Sequence, residues 1–160
     1  MNKIFIRNTN QYAIVDKEDY KVLSKHKWFL HNQGYAIRHS FGKNNKMFLM
    51  HREIMNAHNG QQVDHINSNK LDNRQNNLRF STVAENSWNR EITKNNSTGF
   101  KGVYENKRIK NEWAKRWYVR IRVSKKYIYG HCWNRKIEAV KEANKLMKKF
   151  HGQFVRLNQT

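Results

Sequence analysis

A single cysteine, Cys132, occurs in the 160 residues. One thiol excludes an intramolecular disulfide framework and a four-cysteine zinc site, and it fits a reducing compartment. No apolar run comes near the roughly 18 consecutive positions that a spanning helix needs. Met1–Asn10 also lacks the apolar block of a secretory signal. These absences predict a soluble, cytoplasmic chain with no membrane partner. Apolar residues are only 38% of the total and mean hydropathy is −1.04, so the core is modest. Acidic residues are scarce as well: 12 Asp and Glu stand against 32 Lys and Arg, a net charge of +20.

Such an excess of positive charge draws polyanions, chiefly through counterion release from phosphates. The expected partner is therefore a nucleic acid. An aromatic content of 12% argues for a folded chain, because disordered sequences are poor in aromatics. The length suits one ordinary domain or two small ones. Residues 1–94 hold 15 basic and 8 acidic side chains, net +7, and residues 95–160 hold 17 and 4, net +13. Between them "REITKNNSTGF" is a polar run of the kind that joins domains. Two units are expected, 1–94 and 95–160, the second the more basic.

Short strands are predicted in "NKIFIRN", "QYAIVD", "KWFLH" and "GYAIRHSF", with helical turns in "KEDYKVLSKH". "KMFLMHREIMNAHNG" reads as a strand passing into a helix that Gly60 ends. "QVDHI" and "LRFS" read as strands around a polar loop, followed by a helix in "STVAENSWNR" with Ser81 or Thr82 as its N-cap. Further on come three strand-like runs, "GFKGVYENK", "WYVRIRV" and "KKYIYG". A final amphipathic helix has Ile137, Val140, Ala143, Leu146, Met147 and Phe150 at spacings of three and four, with Asn134 as N-cap and Gly152 as stop.

The polar loop lies in "VDHINSNKLDNRQNNLR", residues 63–79, which holds five Asn, two Asp and a His. No core element has that composition. Four residues in and after it suggest chemistry: Asp64 and His65 at a strand end, Asn77 before the next strand, Asn86 on the helix. A compact strand-loop-strand-helix unit would bring them together. Phosphodiester cleavage needs an activated water and a stabilised leaving oxygen. Asp64 and Asn86 offer oxygen ligands for a hard divalent cation. His65, with an ordinary pKa near 6.5, can take a proton from water. Asn77 could orient the imidazole by a hydrogen bond.

"VDHINSNKLDNRQNNLRFSTVAEN" resembles the ββα-metal motif of HNH endonucleases of the phage and intron-associated homing type. That pattern is Asp-His, an Asn twelve residues after the His and another nine further on, met here by Asp64, His65, Asn77 and Asn86. "MHREIM" and "YAIVDKEDYKVLSKHKWFL" are similar to segments these enzymes carry upstream. Ser68 stands where many relatives have Gly. The resemblance implies one Mg²⁺ or Mn²⁺ ion on Asp64 and Asn86, His65 as general base, and 5′-phosphate and 3′-hydroxyl products. No small-molecule cofactor is implied. His51 in "LMHREI" is a possible accessory residue, and Arg74 and Arg79 are candidates to grip phosphates.

In "WYVRIRV" the apolar residues alternate with Tyr118, Arg120 and Arg122, which puts the two sets on opposite faces of a strand. The final helix can cover the apolar face, leaving arginines to meet DNA. "STGFKGVYENK…WYVRIRVSKKYIYG…EAVKEANKLMKKFHGQFVRLN" resembles the three-strand-plus-helix DNA-binding domain of plant ethylene-response-factor proteins. Carried over by position, Lys101, Tyr104, Arg120, Arg122 and Lys126 face the DNA. Tyr104 replaces the family's usual first-strand Arg, and "RIKNEWAKR" is a longer loop than usual.

The expected fold class is α+β: mixed strands with a ββα-metal nuclease unit at about 61–90, then a three-stranded antiparallel sheet on one C-terminal helix. The leading expectation is a divalent-metal-dependent endonuclease acting on double-stranded DNA in a bacterial or phage-infected cell, as monomer or homodimer. A non-catalytic DNA-binding regulator is the alternative, and charge alone also allows an RNA or ribosome binder.

Overall fold

The computed structural model describes residues 2–40, 46–107 and 117–159. The long loop "RIKNEWAKR" and the end of "GYAIRHSF" lie outside the described residues. The chain is mixed α+β and divides into two compact units, Met1–Asn86 and Ser87–Thr160. That division falls inside a helix, a few residues ahead of the polar run 90–100.

The first unit opens with β1 (Asn2–Phe5) and β2 (Tyr12–Val15), an antiparallel hairpin, followed by α1 (Lys17–Leu23). Its inward-facing Ile4, Ala13 and Val15 join Ile6, Leu23, Trp28, Ala36 and Met50 in one core. Trp28 is fully buried and its indole N–H donates to the Leu23 carbonyl at 2.8 Å, so the ring enters the core without an orphaned donor. β3 (Phe29–Leu30), β4 (Ala36–His39) and β5 (Met47–Leu49) make a three-stranded antiparallel sheet.

β5 runs directly into α2 (Met50–Ile54). This helix stops well before Gly60, contrary to the sequence expectation. Asn56 adopts a left-handed φ of 47°, and Arg52 draws the carbonyls of Ala57, His58 and Gln61 onto its guanidinium. Gly60, at φ 86°, instead turns the chain into β6 (Gln62–His65). β6 pairs antiparallel with β7 (Leu78–Ser81), and α3 (Val83–Asn89) follows. Thr82 caps α3: Glu85 N donates to its hydroxyl at 3.2 Å, and Thr82 N donates to the Glu85 carboxylate at 2.7 Å. This is a reciprocal capping box.

In the second unit β8 (Val103–Glu105), β9 (Trp117–Val123) and β10 (Lys126–Trp133) form an antiparallel sheet with β9 in the middle. α4 (Lys136–His151) covers one face, packing Ala139, Val140, Ala143 and Met147 on Val103, Val119 and Ile121. Its N-cap is Arg135, with no side-chain capping bond, in place of the expected Asn134, while Gly152 at φ 57° ends it as expected. β10 is longer than expected because a bulge between Tyr129 and Cys132 lets pairing resume to Trp133. Among the described residues no helix is long and apolar enough to cross a membrane.

Candidate active site

The loop between β6 and β7 is folded by its own amides. Asn67 Oδ1 accepts from Asn69 N at 2.9 Å, and Asn69 Oδ1 accepts from Leu71 N at 3.1 Å. These are short-range turns that Asn makes readily. Asp72 is buried and accepts from Asn67 Nδ2 at 2.8 Å and from both Nε and Nη2 of Arg74 at 2.8 and 2.7 Å. The loop docks on β2 through Ile14 N to Leu71 O and Asn73 N to Ile14 O, and on Asp16 through Gln75 N. Ser68, at φ 63°, takes the left-handed turn where the resembling family often has Gly.

Asn77 is part of this scaffold. Its Nδ2 donates to Asn67 Oδ1 at 3.0 Å and to the Asp72 carbonyl at 2.7 Å, and its Oδ1 accepts from Asn67 N at 3.0 Å. The orienting bond to His65 comes instead from Asn73, whose Oδ1 lies 3.2 Å from His65 Nε2. The expected role of Asn77 on the imidazole is corrected accordingly: its amide is consumed closing the loop, and Asn73, fully buried, holds the ring. A protonated Nε2 would donate to this amide oxygen.

His65 itself is only 4% exposed. It packs against His51, with ring centroids 5.1 Å apart, and against Tyr35 at 6.0 Å, while Tyr35 and His51 lie 4.9 Å apart. Burial foremost lowers the His65 pKa, against the Asn73 hydrogen bond and the charges of Asp64 and Asp72, which raise it. Burial, then the neighbouring His65 and Arg52, pushes His51 down to about 3. Both shifts favour the neutral imidazole at neutral pH. His51 Nδ1 and Asn73 Nδ2 are buried without hydrogen-bond partners, so polar atoms remain to be satisfied in this layer.

Asp64 has other neighbours. Directly across the ladder, Arg79 Nε and Nη2 both donate to its Oδ2, at 3.0 and 2.7 Å, in a largely buried ion pair. The two arginines expected to grip phosphates are thus committed to carboxylates, Arg79 to Asp64 and Arg74 to Asp72. Asn86 reaches the Asp64 side of the hairpin, donating from Nδ2 to Gln62 Oε1 at 3.2 Å. Gln62 lies two residues before Asp64 on β6, and i and i+2 share a face. A carboxylate and an amide oxygen on one face suit a hard, oxygen-seeking cation. Among the described residues no group of three or more His, Cys, Asp or Glu is placed to hold a metal.

In the second unit the outer sheet face carries Tyr104, Tyr118, Arg120 and Arg122, with Tyr127 and Tyr129 facing them from β10. Two expected DNA contacts fall elsewhere. Lys101 precedes β8, and its ammonium donates to the carbonyls of Trp88 and Arg156 at 3.0 and 3.3 Å, with burial holding its pKa down to about 8. Lys126 pairs with Val123 and shares the parity of Ile128, which turns it toward the α4 side at the strand end. Alternation along β10, read from its start at Lys126, would have pointed out Tyr127 and Tyr129. Nothing in the loop sequence distinguishes Asn73 from its four asparagine neighbours.

Residues 48–88, which take in the β6–loop–β7 hairpin and α3 as far as Trp88, match the family model described as HNH endonuclease. An uncharacterized HNH endonuclease of Acanthamoeba polyphaga mimivirus is 32% identical over 102 residues, 62% of this chain and 54% of that protein. Protein 3.8 of Escherichia phage T7 is 35% identical over 72 residues, 42% of this chain and 60% of its own length. The chain thus spans between half and two thirds of these relatives. No solved structure matches.

Proposed function

We propose that the chain is a site-specific, divalent-metal-dependent DNA endonuclease of the HNH homing type, working in the cytoplasm of a bacterial or phage-infected cell. The observation that carries this reading is the neutral, buried His65, held by Asn73 at the end of β6, inside the stretch that matches the HNH endonucleases. His65 would take a proton at Nδ1 from the water that attacks phosphorus in line, while Asn73 keeps Nε2 protonated and the ring aligned. A Mg²⁺ or Mn²⁺ ion held by Asp64 and Asn86 would supply charge stabilisation at the departing 3′-oxygen. Arg79 pairs with the same Asp64 carboxylate. The products carry 5′-phosphate and 3′-hydroxyl ends. The basic second unit, with its three strands and one helix of ethylene-response-factor type, holds the DNA, and the protein acts as monomer or homodimer.

Two observations favour the non-catalytic regulator instead: Asp64 is already paired with Arg79, and His65 is covered. Supercoiled plasmid incubated with Mg²⁺, with Mn²⁺ and with chelator separates the two. Nicked or linear product is expected with metal only, and is lost in His65→Ala, Asp64→Ala and Asn86→Ala. Asn73→Ala, which leaves the ring unheld, should cut about 10–100-fold more slowly. Intact plasmid under all conditions, with undiminished DNA binding, would make the regulator the correct reading.

A further inference from the structure

The outer face of the β8–β9–β10 sheet is built of rings. Tyr104 and Tyr118 are cross-strand partners stacked at 5.3 Å with planes 21° apart. The Arg120 guanidinium lies 4.5 Å over the Tyr104 ring and 4.8 Å over the Tyr127 ring. Its Nε is buried without a hydrogen-bond partner. An arginine held this way braces the tyrosines and is not extended to read a base edge. Tyr129, across the ladder from Arg120, is 64% exposed, and Tyr127, across from Arg122, is 51% exposed. Arg122 is exposed beside them.

No described acidic group shares this face. Glu138 and Glu142 are on α4, behind the sheet, and Glu105 has the parity of Val103. Glu91 is ion-paired with Arg156. A face of positive charge and open aromatic rings is complementary to an anionic chain that offers flat π surfaces. Duplex DNA keeps those surfaces stacked on one another and presents only edges and phosphates in its grooves. An unpaired strand presents both, and base-on-tyrosine stacking is its usual mode of capture.

We infer that the outer face of this sheet is a stacking platform for unpaired nucleotides, with Tyr127 and Tyr129 taking bases, Arg122 the strand's negative charge, and Arg120 bracing the rings. This rests on the proposed function only in assigning nucleic-acid contact to the second unit.

The test uses the full chain in EDTA, so that binding is read without cleavage and is independent of whether plasmid is cut. Fluorescence anisotropy compares labelled single-stranded DNA, single-stranded RNA and duplex DNA, each about 15 nucleotides long, at matched salt. Wild type should bind at least one of the single strands as tightly as duplex or more so, and the better strand identifies the source. The double variant Tyr127→Ala, Tyr129→Ala should lose about tenfold or more of that affinity, with little change on duplex. Tyr127→Phe with Tyr129→Phe should retain it, since stacking needs the ring and not the hydroxyl. Unchanged single-strand binding by the alanine variant would overturn the inference. So would an equal loss on duplex, or a phenylalanine variant as weak as the alanine one.

Discussion

His51 sits between Tyr35 and His65 with its Nδ1 sealed from water, and the consequence is a pH dependence of the first unit. Unfolded, an imidazole binds its proton near pH 6.5. Folded, His51 does not do so until about 3. Between those values the unfolded chain holds more protons than the folded one, so stability is intact above pH 6.5 and falls as the solution is acidified. The loss is up to about 1.4 kcal/mol per pH unit from this group, hence about 2 kcal/mol between pH 6.5 and 5. His51→Phe keeps a ring of similar size and removes the titration. Hydrogen exchange of the β1 and β2 amides should show a smaller acid loss in the variant, by about that 2 kcal/mol. Equal acid losses would place the buried charge penalty elsewhere.

The same scale shows what the sequence could and could not reveal. Spacing led to Asp64, His65, Asn77 and Asn86, and each lies on or beside the β6–β7–α3 unit. Spacing could not apportion the amides. Five asparagines occupy residues 67–77, and which one meets the imidazole depends on how the loop docks on Ile14 and Asp16. Those anchors are remote in sequence, so spacing alone does not distinguish Asn73 from Asn77 as the partner of the imidazole. Arg74 and Arg79 looked like free cations for a similar reason: their carboxylate partners are evident only once the loop is closed and the hairpin register is set.

At the scale of elements, α4 was legible because its apolar residues recur with helical period, and β9 because its residues alternate. β10 was underestimated because its second half depends on a distant residue. Glu142, from α4, accepts from His131 N at 3.0 Å, from the His131 ring at 2.8 Å and from Trp133 Nε1 at 2.7 Å, and so fastens the strand beyond its bulge. Gly130 makes room for that carboxylate, since a Cβ there would meet it at 2.7 Å. Gly130→Ala should therefore displace Glu142 and destabilise the second unit by about 1–3 kcal/mol, the usual scale for breaking such bonds. Glu142→Ala should cost a similar amount, and in the double variant the two losses should not add. Urea unfolding of the four proteins gives the cycle, and full additivity would separate the glycine from the carboxylate.

Across the whole molecule the net charge of +20 favours a polyanionic partner, but charge count and charge placement are different quantities. Each phosphate neutralised by a basic side chain contributes about −0.9 to the slope of log K against log salt on duplex DNA. A footprint of six to eight phosphates should give a slope of about −5 to −7. Arg122, exposed on the outer sheet face, should reduce the magnitude of that slope by about 1 when replaced by Ala. Lys101 carries the same formal charge, yet its ammonium is spent on the Trp88 and Arg156 carbonyls. Lys101→Ala should accordingly leave the slope unchanged and lower the thermal stability of the second unit. Salt titrations of duplex binding for the three proteins, with melting curves alongside, read both effects. A slope that falls equally in both variants would mean that Lys101 leaves its carbonyls for a phosphate, and that the tether to Trp88 and Arg156 opens when DNA binds.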